Sequence, residues 1–246
     1  MKRIMLIVAY DGTNYHGWQV QPNGVTIEGV LNRTLSELLG EDILVTGASR
    51  TDAGVHSYGN VAVFNTDTRI PAEKLSYALN QRLPDDIVVQ CSKEVAPDFH
   101  PRHCNSRKTY EYRILNRDFP MPTRRQDTYF TYRRLDVSRM QQAATYLEGE
   151  HDFKSFCAAA AVVETTVRTI YSLSVDKETD IITIRVTGSG FLYNMVRIIA
   201  GTLIQIGIGE KEPEDMKQML LARNRSAAGP TAPAHGLTMI GIEYEN

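Results

Sequence analysis

Two apolar runs of the chain, residues 43–45 and 61–64, are joined by the sequence Gly47-Ala48-Ser49-Arg50-Thr51-Asp52-Ala53-Gly54-Val55-His56. The apolar runs predict two strands, and the residues between them predict their connection. Glycines near both ends of the connection allow a tight or left-handed backbone, and small neighbours leave room for a ligand beside the Asp52 carboxylate. Spacing alone leaves two interpretations of Arg50 and Asp52 open: a functional pair, or a surface ion pair of little energetic effect.

The elements on either side of this loop alternate between strands and helices. Thr26 is a typical helix-capping residue and Gly40 a typical helix terminator, with apolar residues at helical spacing between them. A second helix is predicted between Pro71 and Pro84. The first half of the chain therefore has the order β-α-β-β-α-β, with strands predicted at residues 5–10, 43–48, 59–65 and 87–89.

The second half repeats this order with different residues. The predicted elements are a strand at 109–115, a helix from 136 to 149, strands at 166–176 and 181–187, an apolar helix at 191–206, a shorter helix from Pro213 and a strand at 237–244. Each half matches the split β-α-β pattern. The sequence thus predicts an α+β fold of two ferredoxin-like halves with antiparallel sheets, helices covering one face, and an active-site cleft between the halves. The predicted domains are residues 1–105, which carry the Asp52 loop, and residues 106–246.

Composition indicates an ordinary globular protein, with 42% hydrophobic and 23% charged residues among 246. No apolar stretch approaches the roughly 18 residues that a membrane-spanning helix needs, so no membrane partner is expected. The first nine residues are basic and then apolar, which resembles a signal peptide. The apolar run ends at residues 10–12 and no cleavage site follows, so we expect the first strand of the fold here. Three widely spaced cysteines suggest reduced thiols and hence a cytoplasmic protein.

The formal net charge of −2 argues against a nucleic-acid partner, but the distribution of charge argues for one. Residues 100–139 contain nine Arg and one Lys against four acids, a local excess of six positive charges. Arginine suits planar contacts to phosphates and bases better than lysine does. The segment is therefore either an RNA-binding surface or a solvated basic face.

Cations and aromatic residues alternate in the predicted strand Arg107-Lys108-Thr109-Tyr110-Glu111-Tyr112-Arg113. A period of two places Tyr110 and Tyr112 on one face and Glu111 and Arg113 on the other. The two tyrosines are then either a buried aromatic pair or a surface on which an RNA base stacks.

The sequence Gly188-Ser189-Gly190-Phe191-Leu192-Tyr193-Asn194-Met195-Val196-Arg197 leads into the apolar helix. It is not a dinucleotide-binding fingerprint, because the third required glycine would fall at Tyr193. Burying an unpaired guanidinium is costly, so Arg197 is expected to face an acidic partner or an anionic ligand. The His and Cys residues at 100–104 are crowded by Pro and Arg and lack a second cluster, so no metal site is expected.

Several of these segments, in chain order, resemble the tRNA pseudouridine synthase A family. Residues 10–21 are similar to its N-terminal signature, and residues 50–56, R-T-D-A-G-V-H, strongly resemble its catalytic signature. Residues 107–114 are similar to its K-x-Y-x-Y strand and residues 188–201 to its second active-site segment. Residues 234–237 match its C-terminal x-x-G-L segment.

The resemblance implies conversion of uridine to pseudouridine in the anticodon stem-loop of tRNA, at positions 38, 39 and 40, without a metal or cofactor. It implies that Asp52 is the catalytic aspartate, that Arg50 holds the flipped nucleotide or fills its gap, and that Tyr110 stacks on the uracil. It also implies that Arg197 pairs with Asp52 and that Leu237 lines the uracil pocket. The family is homodimeric, so a homodimer is expected, with one tRNA touching both subunits.

Two alternatives from other classes stay open. A non-catalytic RNA-binding protein would be favoured only if the Asp52 motif were degraded, and the motif is intact. A small-molecule hydrolase with Asp52 as nucleophile leaves the basic segment 100–139 unexplained. The resemblance also leads us to expect contacts between RNA and the polar and aromatic side chains of residues 14–21.

Overall fold

The computed structural model describes residues 1–158 and 163–245. In chain order the elements of these residues are β1 (Lys2–Tyr10), α1 (Ile27–Leu39), β2 (Thr46–Gly47), β3 (His56–Thr66), α2 (Leu75–Asn80), β4 (Ile87–Val95), β5 (Ser106–Asn116), β6 (Tyr129–Thr131), α3 (Val137–Thr145), β7 (Gly149–Asp152), β8 (Val167–Glu178), β9 (Ile181–Gly188), α4 (Met195–Gly207), α5 (Asp215–Ala222) and β10 (Leu237–Tyr244). The fold is α+β, with ten strands and five α-helices in the described part. No helix in these ranges is long and apolar enough to cross a bilayer.

The chain divides into two compact units. The first consists of residues 1–105 and 239–246, and the second of residues 106–238. The last strand, β10, therefore begins in the second unit and continues as part of the first.

In the first unit the strand order is β4-β1-β3, and β10 and the short β2 both pair with β3. Strand β1 runs antiparallel to both of its neighbours, and its Leu6 lies opposite Ala62 of β3 and Ser92 of β4. Apolar side chains of these strands and of α1 and α2 form one core, which includes Ile4, Leu6, Ile27, Leu31, Leu35, Ala62, Leu75 and Leu79. The sheet therefore gives the loops at its strand ends a rigid base.

Helix α1 has the bounds that its capping residues predict. The Thr26 hydroxyl accepts a hydrogen bond from Gly29 N at 3.3 Å. At the other end Gly40 has a φ of 67°, and its N–H donates to Ser36 O. Glycine adopts this left-handed conformation without the strain that a Cβ would bring. The prediction of a helix between Thr26 and Gly40 is confirmed.

The strand predicted at residues 43–48 is much shorter, because β2 has only two residues. Ile43 N donates to the Ser36 hydroxyl at 2.9 Å, and Val45 N donates to the Asn32 side chain at 2.8 Å. Both acceptors belong to α1. Side chains of the helix thus take the donors that a partner strand would otherwise use.

In the second unit the strand order is β5-β9-β8-β7 with antiparallel neighbours, and β6 pairs parallel with β5. Tyr112 of β5 lies opposite Ile184 of β9, which lies opposite Val175 of β8. Helix α3 begins where its predicted cap places it, since the Asp136 carboxylate accepts from Arg139 N at 3.1 Å. Helix α3 packs against β8 and α4.

Three predicted helix boundaries differ from the structure. The helix predicted from residue 191 begins at Met195, because Asn194 has a left-handed φ of 59°. The helix predicted to reach Gly149 ends at Thr145, and Gly149, with a φ of 100°, opens the unpredicted strand β7. The helix predicted after Pro71 is a 3-10 turn followed by the short α2.

Candidate active site

The Asp52 loop connects β2 to β3, and its first half is held by side chains of the sheet. Asn60 of β3 is fully buried; its amide donates to Ser49 O at 2.9 Å and accepts from Ser49 N at 3.3 Å. The Thr51 hydroxyl lies 2.7 Å from the hydroxyl of Tyr10 on β1. The backbone that leads into Asp52 is therefore tied to two strands.

The second half of the loop is held by the N-terminal loop, residues 11–18. Trp18 N donates to Thr51 O at 3.1 Å. A Cβ at Gly12 would lie 2.0 Å from Val55 O, so only glycine allows the two loops to approach this closely. Two sequence motifs that are far apart in the chain thus form one structure.

The aromatic residues of the N-terminal loop pack inside the first unit. Trp18 is 1% exposed and covers Gly47, where a Cβ would lie 2.2 Å from the indole Nε1. Tyr15 is buried, and its hydroxyl donates to the Asp86 carboxylate; burial and this hydrogen bond raise the pKa of Tyr15. The expected contact of Trp18 with RNA is therefore wrong, because its ring is enclosed in the first unit. The expected contact of Tyr15 stays a prediction.

The side chains of the Asp52 loop differ in exposure. Thr51 and Val55 are buried, Asp52 is half-buried and Arg50 is exposed. Val55 N donates to Asp52 O at 3.2 Å, which closes a turn directly after the aspartate. The result is a carboxylate on a fixed backbone with partial access to solvent. Catalytic groups need this kind of support, since small errors of position cost activity.

Arg50 has a second cation near it, Arg102. Partial desolvation lowers the pKa of Arg102, and the positive charge of Arg50 lowers it further, whereas Glu28 opposes both effects. Two guanidinium groups that repel each other gain from an anion placed between them. Nothing in the sequence places Arg102 beside Arg50; the sequence shows Arg102 only as one cation of the basic segment 100–139.

His56 ends the motif and holds the N-terminal loop. Its Nδ1 lies 3.1 Å both from Gly12 N and from a carboxylate oxygen of Asp11. A backbone N–H can only donate, so Nδ1 accepts a hydrogen bond from Gly12, which ties the N-terminal loop to the end of the motif. Burial alone would raise the pKa of Asp11, but hydrogen bonds from Thr13 and the proximity of His56 outweigh it and lower this pKa.

Tyr110 lies on β5 in the second unit. It is 8% exposed, and its ring meets that of Phe191 edge-on at a centroid distance of 5.2 Å. The neighbouring Glu111 pairs with Arg113 at 2.7 Å and with Arg185 at 2.5 Å. The predicted alternation of aromatic and charged side chains along this strand is confirmed.

Tyr112 positions the segment that carries Leu237. Tyr112 is fully buried, which raises its pKa, and its hydroxyl donates to Pro233 O at 2.9 Å. A Cβ at Gly236 would lie 2.7 Å from the Tyr112 ring, so this glycine lets the backbone lie directly on the ring. Leu237 follows as the first residue of β10 and is 5% exposed.

Arg197 lies in the first turn of α4 and contacts the same segment. Its Nε donates to Ala232 O at 2.8 Å, and its Nη1 donates to the Asn194 side chain at 2.8 Å. Ala232 N donates back to Arg197 O at 3.0 Å. Within the second unit, residues 232–236 thus contact both Arg197 and Tyr112 and lead directly to Leu237. The predicted ion pair of Arg197 with Asp52 stays a prediction.

Much of the positive excess of residues 100–139 is neutralised within the protein. The arginines of this segment that pair with carboxylates are Arg113, Arg117, Arg124, Arg133 and Arg139. Arg107 lies over the ring of Tyr171, with 4.8 Å between the guanidinium carbon and the ring centroid. Arg125 and Arg134 are exposed and have no carboxylate partner among the described residues. Only a few arginines of this segment therefore have no carboxylate partner within the ranges that the structure describes and stay available to an anionic ligand.

The rings of His100 and His103 stack at a centroid distance of 3.8 Å. In the described part of the chain no group of three or more His, Cys, Asp or Glu side chains is placed to hold a metal ion.

Comparison with known proteins identifies the family of this chain. A family model described as tRNA pseudouridine synthase matches residues 6–103 and 143–245. The chain is 48% identical over 244 residues to the tRNA pseudouridine synthase A of Thermoanaerobacter sp. (strain X514), covering 99% of this chain and 100% of that protein. The corresponding protein of Ruminiclostridium cellulolyticum is 49% identical over 245 residues, and that of Brevibacillus brevis 48% over 244 residues, with the same coverage.

The fold and these matches define an RNA-modifying isomerase. The chain belongs to the tRNA pseudouridine synthase family, and the expected family and enzyme class are confirmed.

Proposed function

We propose that this enzyme isomerises uridine to pseudouridine in the anticodon stem-loop of tRNA, at positions 38, 39 and 40, with Asp52 as the catalytic carboxylate. The observation that carries the proposal is the support of the Asp52 loop. Asn60, Tyr10 and the N-terminal loop fix its backbone, while Asp52 itself keeps partial access to solvent. A surface ion pair of no function would not need this support.

The reaction breaks the bond between N1 of uracil and C1′ of the ribose and forms a bond between C5 and C1′. Substrate and product are isomers, so the step needs no oxidant, reductant or energy source. Asp52 either attacks C1′ or removes the 2′ proton to give a glycal. Both routes use the ionised carboxylate, as nucleophile in the first and as base in the second.

The target uridine lies in a stacked stem and must be flipped out, at a cost of a few kcal/mol. Arg50, with Arg102 beside it, is suited to hold the phosphate of the flipped nucleotide. Tyr110 stacks on the uracil, which contributes on the order of 1–3 kcal/mol per base, and Leu237 packs on its other side. Arg197 acts as the cation that keeps Asp52 ionised.

The two alternative classes are disfavoured for separate reasons. A hydrolase of small molecules conflicts with a family match that covers most of the chain. A non-catalytic RNA-binding protein would not need an accessible carboxylate on a loop held by the sheet and by a second loop.

Three further features belong to the same proposal. A cytoplasmic homodimer, with one tRNA touching both subunits, follows from the family resemblance. The ferredoxin-like form of the first half is supported by its strand order, β4-β1-β3 with β2 on the far edge of β3. In the second half the order β5-β9-β8 supports the same form.

The proposal is tested by incubating the protein with a transcribed, unmodified tRNA and mapping pseudouridine along the chain of the RNA. Pseudouridine should appear at positions 38 to 40. A control transcript with cytidine at these positions should stay unmodified. Modification of a different stem would contradict the assigned substrate, and no modification of any tRNA would contradict the assigned activity.

A further inference from the structure

A pocket of about 380 Å³ lies in the second unit, at the C-terminal end of β5. Its walls come from the end of β5, from the segment after β6 and from the β8–β9 turn, and they include Asn116, Arg117, Tyr132, Arg134, Lys177 and Asp180. Its volume falls within the range of about 300–1,000 Å³ that is common for small-ligand sites. Tyr110 precedes Asn116 on the same strand at a distance of roughly 20 Å, so the pocket is separate from the proposed uracil contact.

Asn116 gives the pocket a fixed floor. This residue is 8% exposed; its side-chain nitrogen donates to Thr131 O at 3.1 Å and Arg133 O at 2.8 Å, and its side-chain oxygen accepts from Leu135 N at 3.2 Å. Its backbone N donates to Asp180 O at 2.7 Å in the β8–β9 turn. One asparagine thus ties together all three walls, and the side chains of the pocket start from a fixed backbone.

The charges of the pocket favour a ligand with both an anion and hydrogen-bond donors. Arg134 and Lys177 are exposed, and neither forms an ion pair with any residue that the structure describes. Two carboxylates also line the pocket: Asp180, which lies 3.4 Å from Arg117, and Asp118. Bare phosphate would be attracted by the cations but repelled by the carboxylates. A nucleotide matches both the cations and the carboxylates, because its phosphate accepts hydrogen bonds and its ribose and base donate them.

Tyr132 adds a surface for stacking. Its side chain is 70% exposed, so its ring has little role in the packing of the unit. Exposed aromatic rings next to cations are typical platforms for unpaired bases of RNA. The ring and the two cations line the same pocket.

We propose that this pocket binds one nucleotide of the tRNA away from the uridine that is isomerised, with the phosphate on Arg134 and Lys177 and the base on Tyr132. The inference rests on the proposed function, since it takes tRNA as the substrate. The pocket then acts as a second point of attachment that orients the RNA.

The test measures the affinity of the full chain for a transcribed, unmodified tRNA over a range of salt concentrations. The double variant Arg134→Gln/Lys177→Gln should bind about tenfold more weakly. Its plot of log affinity against log salt should be less steep by about one unit, because fewer counterions are released when a phosphate contact is lost. The matched control is Lys93→Gln/Lys217→Gln, which removes the same charge from two exposed lysines without ion pairs among the described residues. The control should bind within about twofold of wild type.

Tyr132→Ala separates stacking from charge. It should weaken binding about tenfold without changing the salt dependence, and Tyr132→Phe should restore the affinity, because the ring and not the hydroxyl stacks. If the double variant and Tyr132→Ala bind the tRNA like the control, the pocket does not bind RNA. If the wild-type protein forms no pseudouridine in this tRNA, the proposed function fails. Pseudouridine formation and binding affinity are separate measurements, so the two failures can be told apart. The inference would be overturned if uridine monophosphate alone binds the protein and the three substitutions weaken this binding in the same way. The ligand of the pocket would then be a free nucleotide and not a nucleotide of the tRNA.

Discussion

Asn60→Ala should show how strongly the Asp52 loop depends on one buried amide. The substitution removes the partner of both Ser49 N and Ser49 O, at 3.3 and 2.9 Å. Ser49 is 7% exposed, so both backbone groups stay buried without a partner. Each group left unsatisfied costs about 1–3 kcal/mol. We therefore expect a loss of about 3 kcal/mol in the free energy of unfolding, which lowers the melting temperature by about 6–12 °C for a chain of this size.

The same substitution should also reduce activity more than stability explains. The loop that carries Asp52 would lose its attachment to β3, and a displacement of about 1 Å at a reacting group can cost about a hundredfold in rate. The assay is kcat for pseudouridine formation, measured well below the melting temperature of the variant and accompanied by a thermal melt.

Asn65→Ala is the matched control for this experiment, since Asn65 lies on the same strand but is exposed. Its stability should stay within about 0.5 kcal/mol of wild type. The reasoning is refuted if Asn60→Ala melts like Asn65→Ala and keeps the wild-type kcat.

Three shorter predictions concern other parts of the structure. Tyr110→Ala should lose far more activity than Tyr110→Phe, since stacking needs the ring; equal losses in kcat/KM would indicate that the hydroxyl acts instead. Neutralising Arg124 and Arg125 together should flatten the salt dependence of tRNA binding. Arg125 alone should account for most of this effect, because Arg124 pairs with Asp127 at 2.9 Å. An unchanged slope of log affinity against log salt would show that both arginines face solvent and do not contact RNA. Gly47→Ala should destabilise by about 1–3 kcal/mol in a denaturant titration, because its Cβ would lie 2.2 Å from the Trp18 indole; wild-type stability would show that the indole has room to move.

Local chemistry explains which elements could be predicted from the sequence. The bounds of helix α1 are predictable because Thr26 and Gly40 act on their own neighbours in the chain. The apolar pattern predicts a longer β2 than the structure has, because the N–H groups of Ile43 and Val45 donate to side chains of α1. Contacts of that kind depend on the packing of a helix against a strand, and apolar patterns do not report them.

The same distinction applies to the candidate site. The position of Asp52 in a loop between strands was readable from the motif and its flanking apolar runs. Its support by Asn60 and by the N-terminal loop was not, because each of these contacts joins segments that are distant in the chain. The sequence shows Arg102 only as part of a basic segment, because its proximity to Arg50 depends on the fold.

The ionised carboxylate of Asp52 is the centre of the proposed mechanism, and Asp52→Asn tests it most directly. Asparagine keeps the shape of the side chain but is a far poorer nucleophile and base. Binding of tRNA should survive, because phosphate contacts and stacking supply most of the affinity. A thermal melt must accompany the assay, since losing the proposed ion pair with Arg197 would also lower the stability of the variant.

The decisive measurement is the rate of pseudouridine formation in unmodified tRNA by folded Asp52→Asn, beside Asp42→Asn as the control on an exposed aspartate of the same unit. We expect no pseudouridine from Asp52→Asn and the wild-type rate from Asp42→Asn. A folded Asp52→Asn variant that forms pseudouridine at a rate near wild type would contradict the account.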